Sequence, residues 1–158
     1  MSPLPPTLIS VTSDWLDSVD RALDEILAAT SDIDAAMASR VALAVGGVRE
    51  HTSRFRQVMR REVAVDQRAD SDWVPLRTID RTLAERIHGN VIQATSLSAS
   101  VHDTAHAALP DPVQRKAFLL HVGDVAGTAF VNLARQLWED HPDLAPEGWN
   151  EGNGPMSS

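Results

Sequence analysis

Apolar residues between positions 76 and 101 recur in steps of three and four, the spacing that places side chains along one face of an α-helix. Pro75 suits the first turn of such a helix, where a backbone N–H has no helical partner to lose. Pro110 sets the latest point at which the helix ends. The sequence therefore predicts a long amphipathic third helix with its buried face formed by Leu76, Ile79, Leu83, Ile87, Val91, Ala94, Leu97 and Val101.

Three other segments carry the same periodicity and predict three more helices. We expect the first to begin at Ser13 and to end near Thr30, because Asp14 and Asp17 then lie in its first turn, where the helix dipole favours negative charge. Ser31 is the expected N-cap of the second helix. Asp111, followed by Pro112, caps the fourth, which ends at His141-Pro142.

Gly46 and Gly47 interrupt the apolar stripe of the second helix. Each glycine costs a helix interior on the order of 1 kcal/mol relative to alanine. Such a pair indicates either a kink or a point where another backbone approaches closely. The sequence leaves both explanations open.

The segments between and outside these helices set the domain organisation. Residues 1–12 hold three prolines and no periodicity, which predicts a disordered arm. Residues 142–158 are rich in Pro, Gly and Ser and predict a flexible tail. We expect a single domain over residues 13–141, an all-α antiparallel bundle of about four long helices with short connectors.

Composition excludes several classes of protein. The chain has 158 residues and no cysteine, so it has no disulfide framework and no thiolate metal site. A formal net charge of −8 argues against binding to nucleic acid. No apolar run approaches the roughly 20 residues that span a bilayer, and we predict no membrane span and a cytoplasmic location. Arginine supplies 13 of the 14 basic residues, a bias typical of GC-rich bacterial genomes.

Histidines are the main candidates for site chemistry, because no glycine-rich phosphate loop follows a strand. His102 and His106 lie four residues apart, so both imidazoles share one helix face and could supply two metal ligands. A bundle metal site would need further carboxylates from other helices. We predict no bound cofactor and keep metal binding as an alternative.

Residues 80–101, DRTLAERIHGNVIQATSLSASV, resemble the phosphoacceptor helix of sensor histidine kinases of the HisKA_3 type, the partners of NarL-like regulators. The likeness lies in Ala84, in Ile87-His88-Gly89 and in Val91-Ile92-Gln93, and it extends loosely through ALPDPVQRK to about residue 138. It implies a dimerisation and phosphotransfer hairpin formed by the third and fourth helices. His88 matches the phosphorylated histidine, and Gln93 matches the glutamine that orients water for dephosphorylation of a response regulator.

Gly89 stands where this family has an acidic residue that assists proton transfer. The resemblance implies a regulatory or interaction module of two-component signalling that transfers or removes phosphoryl groups. We expect such a module to lack an ATPase domain and to work as a homodimer. Its expected partner is a response regulator protein.

Arginines support a different, enzymatic alternative. Residues 40–50, RVALAVGGVRE, resemble part of the long first helix of AroQ chorismate mutases, with Arg40 in the place of a substrate-binding arginine. Arg49 and Arg61 would complete a site that holds a dicarboxylate through bidentate hydrogen bonds. Residues 49–68 carry six arginines against three acidic residues, which indicates either a solvated helix face or a site for an anion or acidic partner.

Overall fold

The computed structural model describes residues 3–77 and 80–147, and these residues form helices and connectors without a strand. The predicted all-α antiparallel bundle is confirmed. A π-helical turn covers Phe130–Arg135, and a 3₁₀ turn covers Pro142–Leu144. The helices are α1 (Pro6–Ala29), α2 (Ala35–Met59), α3 (Arg81–Thr95), α4 (Ser98–Ala108), α5 (Pro112–Ala129) and α6 (Gln136–Asp140).

Neighbouring helices run antiparallel around the bundle. α1 packs against α2 on one side and against α3 and α4 on the other, while α5 and the π turn close the ring. The indole N–H of Trp15, early in α1, donates to the carbonyl of Ala94 at the end of α3, with N···O 2.7 Å. Phe55, late in α2, packs edge-on against Phe118, early in α5. Since α2 and the α3–α4 pair are both antiparallel to α1, they run in the same direction.

The first helix begins earlier than predicted. Pro6–Thr12 are helical, so the predicted disordered arm is wrong over these residues. Proline is well placed at the first helical position, where it gives up no hydrogen bond. Leu8 is fully buried and extends the stripe of Trp15 and Leu16 by two turns, and this burial stabilises the added turns.

The second helix begins later than predicted, because Asp34 rather than Ser31 is its N-cap. The Asp34 carboxylate accepts hydrogen bonds from the N–H groups of Ala36 (3.1 Å) and Met37 (3.3 Å). These bonds satisfy two of the four free N–H groups at the helix start.

The third helix also differs from the prediction. It begins at Arg81 with Asp80 as N-cap, so Pro75 and Leu76 belong to a connector rather than to its first turn. Leu76 is buried, but its backbone N–H donates to the carbonyl of Asn132. Ile79 lies outside the described residues.

A break at residues 96 and 97 divides the predicted third helix into α3 and α4. Three hydroxyls here bond to nearby carbonyls: Thr95 to Val91, Ser96 to Gln93 and Ser98 to Thr95. Such bonds compete with the helical hydrogen-bond ladder. The break leaves the Leu97 side chain 39% exposed, where the periodicity predicted a buried residue.

The connector after α2, described over residues 60–77, runs back along the groove between α2 and α5. Hydrogen bonds hold it there. The Val65 carbonyl and the Arg68 side chain bond to His121 and Asp124 of α5. Further along, Ser71 bonds to His51 of α2, and the Val74 N–H donates to Asn132 of the π turn. Residues 66–73 are thus the centre of a longer, packed segment. The predicted short connector is wrong here, since a long crossover is what lets α2 and α3 run in the same direction.

Gly47 permits a close approach at this connector. A Cβ at Gly47 would lie 2.9 Å from Asn132 Nδ2 and 3.4 Å from the Asp72 carbonyl oxygen, whereas one at Gly46 would have no neighbour within 4 Å. α2 continues through both glycines. Close approach is therefore the correct explanation of the glycine pair.

The fourth predicted helix comprises α5, the π turn and α6. Asp111 caps it through the Val113 N–H, and it ends before His141, as predicted. In the π turn the Asn132 carbonyl accepts a hydrogen bond from the Leu76 N–H, so the irregular backbone binds the connector. Val113, the first apolar residue of α5, is 69% exposed and takes no part in the core.

Pro112–Asp140 is the one helix of the described residues that is long and apolar enough to cross a membrane, and half of its most apolar 18-residue window is buried in the bundle. After it, Arg81 donates to the Asp143 carboxylate at 2.8 and 2.6 Å. This hydrogen bonding lowers the pKa of Asp143 to about 2. The predicted tail thus begins with a turn held against α3, and its residues 148–158 lie outside the described residues.

Candidate functional site

His88 is half-buried on α3 beside Trp138 of α6. The Trp138 indole N–H donates to His88 Nδ1 at 3.0 Å, and the two rings meet edge to face with centroids 6.2 Å apart. Because an indole only donates, Nδ1 must be the acceptor, and the neutral imidazole carries its proton on Nε2. Neither ring nitrogen then keeps a free lone pair. The geometry does not favour nucleophilic attack by His88 on a phosphoryl group.

Gln93 differs from His88 in its surroundings. Its side chain is exposed on α3, and its amide makes no hydrogen bond within the described part of the chain. His88 and Gln93 are five residues apart, so they point about 140° away from each other around the helix axis. The two residues therefore do not act on one point, although they share a helix.

An open surface surrounds Gln93. Gly89 lies one turn earlier on the same side, and a Cβ there would have no neighbour within 4 Å. Ile92 and Leu97 flank Gln93 and are 42% and 39% exposed. We call these four residues, Gly89, Ile92, Gln93 and Leu97, the Gln93 patch. The patch presents a polar side chain between two apolar ones. Beside it, the α3 backbone at Gly89 carries no side chain, so a partner can approach it closely.

The three arginines of the mutase alternative do not converge. Arg40 is exposed near the start of α2, and Arg61 is exposed just after its end. About 20 residues at 1.5 Å each separate them, which is roughly 30 Å. Arg49 lies between them and forms an ion pair with Asp24 of α1.

Other arginines of residues 49–68 also have partners inside the fold. Arg56 binds Asp17 at 3.0 Å and Asp20 at 2.6 Å, and Arg68 holds Asp124. Arg54 donates to the connector carbonyls of Gln67 and Arg68. Most of these arginines thus join helices and connector to one another, which neither of the two explanations from the sequence anticipated.

His102 and His106 lie together on the exposed side of α4, with ring centroids 4.6 Å apart. The predicted shared face is confirmed. In residues 3–77 and 80–147, no group of three or more His, Asp or Glu side chains is placed to hold a metal ion. The pair therefore offers two ligands without the carboxylates that the predicted bundle metal site needs.

A histidine–serine contact that the sequence did not point to joins α2 to the connector. His51 Nε2 lies 2.9 Å from Ser71 Oγ, and His51 Nδ1 has no hydrogen-bond partner among the described residues. A buried acceptor without a hydrogen bond costs less free energy than a buried N–H without one. The imidazole proton is therefore assigned to Nε2, which donates to Ser71. His51 is then a structural donor and not a base for the hydroxyl. The only sequence signal for this contact was the nearby glycine pair.

Comparison with protein families, with curated proteins and with solved structures found no match.

Proposed function

We propose that this protein is a helical regulatory module that binds a phosphorylated protein partner at the Gln93 patch and promotes loss of its phosphoryl group. The observation that carries the proposal is the exposed Gln93 amide, which has no hydrogen-bond partner in residues 3–77 and 80–147 and lies between Ile92 and Leu97. The resemblance of residues 80–101 to HisKA_3-type kinases supports a response regulator as the partner.

The proposed hydrolysis requires one side chain of this protein, that of Gln93. A glutamine amide can accept a hydrogen bond from water and donate one to a phosphoryl oxygen, which places the water in line with phosphorus. The water oxygen forms a bond to the phosphorus of an acyl phosphate on the partner. The bond from phosphorus to the acyl oxygen breaks, and the partner keeps a carboxylate. Both water protons leave with inorganic phosphate or pass to solvent. His88 takes no part in this step.

The surroundings of His88 also support hydrolysis over transfer. A phosphohistidine intermediate requires a nitrogen lone pair, and the Trp138 bond occupies Nδ1 while the proton occupies Nε2. Gly89 has a role in the same proposal, because a missing side chain lets the partner approach the α3 backbone beside Gln93.

The test uses a panel of receiver domains charged with a small-molecule phosphodonor. Release of inorganic phosphate is followed with and without the protein. We expect acceleration for at least one receiver, and we expect Gln93→Ala to reduce it about tenfold or more, in the range of a lost positioning contact. Gln67→Ala is the matched control, since Gln67 is exposed on the connector away from α3.

The outcomes separate cleanly. Full acceleration by Gln93→Ala would overturn the proposed role of this residue. Absence of acceleration for every receiver would overturn the phosphatase proposal as a whole.

Metal binding is a second candidate, favoured by the 4.6 Å separation of the His102 and His106 rings. Two imidazoles one turn apart can chelate Zn²⁺ or Ni²⁺ and leave the other positions to water. Native mass spectrometry after purification without added metal tests it. A bound ion that disappears in His106→Ala supports this candidate, and a metal-free folded chain counts against it.

A further inference from the structure

A cavity of about 340 Å³ opens where α2 ends and α5 begins. Its walls include the apolar side chains of Leu4, Val58, Val63 and Val65. Val58 and Val65 belong to the core, and Leu4 and Val63 pack against it, so the bundle holds these walls in place. Ligand pockets hold roughly 300–1,000 Å³. The cavity therefore has room for a small molecule rather than for a helix or a peptide.

Two opposite charges lie at the mouth of this cavity. Arg61 and Glu62 both line it, and both are exposed. Neither side chain forms an ion pair with another residue in the described part of the chain, whereas Arg49, Arg56 and Arg68 of the same segment each bind an aspartate. The cavity thus combines apolar walls with one cation and one anion that the fold itself does not use.

The backbone of Arg61 gives independent support for a role of its side chain. Its φ is 63°, in the left-handed region where a residue with a Cβ is strained. Glycine ends a helix in this conformation without strain, so the end of α2 alone does not explain an arginine here. Strained residues concentrate at ligand sites, where the side chain is needed despite the strain. The cavity supplies the need for the Arg61 guanidinium.

We infer that this cavity binds a free amino acid with a large apolar side chain. The Arg61 guanidinium donates hydrogen bonds to the ligand carboxylate, and the Glu62 carboxylate accepts them from the ligand ammonium. The apolar side chain lies against the valine walls. A carboxylic acid without an ammonium group is repelled by Glu62, and an amine without a carboxylate is repelled by Arg61. The inference does not depend on Gln93 or on the proposed function.

The test is a titration of the isotope-labelled full chain with L-phenylalanine, followed through the backbone amide NMR signals of residues 58–65. Two analogues serve as matched ligands: 3-phenylpropanoate lacks the ammonium group, and 2-phenylethylamine lacks the carboxylate. We expect phenylalanine to shift these signals with a dissociation constant below about 1 mM. Each analogue should bind about tenfold more weakly or worse, because each loses one charged hydrogen bond and meets one like charge.

Three single variants assign the charged contacts. Arg61→Gln and Glu62→Gln should each weaken phenylalanine binding about tenfold or more, with unchanged helical circular dichroism. Arg60→Gln is the matched control and should keep the wild-type affinity, since Arg60 is an exposed neighbour that does not line the cavity. Unshifted signals at about 10 mM phenylalanine, equal binding of 3-phenylpropanoate, or wild-type affinity in Arg61→Gln would each overturn the inference.

Discussion

Arg61 carries a local backbone cost at the end of α2. Among the described residues it is the non-glycine residue with positive φ, at 63°. The N–H groups of Arg61 and Glu62 donate to the carbonyls of Val58 and Gln57, the pattern of a Schellman C-cap, which usually has glycine in the left-handed position. A side chain with a Cβ costs about 1–2 kcal/mol in that conformation.

Arg61→Gly is therefore expected to raise the free energy of unfolding by about 1 kcal/mol, because glycine adopts this φ without strain. Urea unfolding followed by circular dichroism measures the change. Arg60→Gly is the matched control. Its φ is −83°, so glycine there should lower stability by about 0.5–1 kcal/mol. Equal effects at the two positions would contradict this explanation.

Gly46 and Gly47 should respond to alanine in opposite directions. At Gly47 the new methyl meets Asn132 Nδ2 at 2.9 Å, and Asn132 cannot turn away because it bonds both the Val74 N–H and the Ala44 carbonyl. We expect Gly47→Ala to cost about 1–3 kcal/mol of stability. Gly46→Ala should instead add about 0.5–1 kcal/mol through helix propensity. Parallel urea titrations decide the matter, and a shift in the same direction for both would be inconsistent with close packing at Gly47.

At the scale of elements, the connector is held to α5 by a buried histidine. His121 is nearly fully buried, stacks on Phe55, and donates from Nε2 to the Val65 carbonyl at 2.6 Å. Burial lowers its pKa from 6.5, against the opposing effect of the Val65 carbonyl. The unfolded chain thus binds a proton at a higher pH than the folded chain does.

The sign of this shift predicts acid sensitivity. The stability that neutral His121 contributes is complete above about pH 6.5 and declines as the pH falls from there towards the lower folded pKa. We expect wild-type protein to lose stability between pH 7.5 and 5.5, and His121→Phe to lose less over the same interval. Urea midpoints at the two pH values test this. His106→Phe, on the exposed side of α4, should keep the wild-type dependence, and an unchanged slope in His121→Phe would refute the assignment.

Periodicity predicted the helices well where a single face is buried. Leu83, Ile87, Val91 and Ala94 are all buried on α3 as expected. Periodicity failed at Leu76, which is buried although it lies in an extended connector. A buried apolar residue in a packed connector just before a helix fits the same spacing as a residue of the helix itself. Periodicity also failed at Leu97, where neighbouring hydroxyls break the helix.

The candidate site was predictable only in part. Gln93 lies away from the stripe of Ile87, Val91 and Ala94, so helical geometry alone placed it outside the core. The bond from Trp138 to His88 joins residues 50 positions apart. Its existence depends on the packing of α6 after the π turn, which no local pattern in the sequence reveals. The resemblance points to α3 but does not tell which of its polar side chains is free of hydrogen bonds within the fold.

At the scale of the whole molecule, the long crossover decides which surfaces remain open. Because residues 60–77 fill the groove between α2 and α5, that side of the bundle is closed by Arg68, Ser71 and Val74. The Gln93 patch on α3, the surface that we propose for a protein partner, stays uncovered.

The intact mass of the protein after incubation with a phosphorylated receiver domain tests the central claim most directly. If Gln93 directs hydrolysis and Trp138 keeps His88 from attack, inorganic phosphate accumulates while the mass of the chain stays that of the unmodified protein at every time point. A chain that gains one acid-labile phosphate, and loses this gain in His88→Ala, would contradict the account.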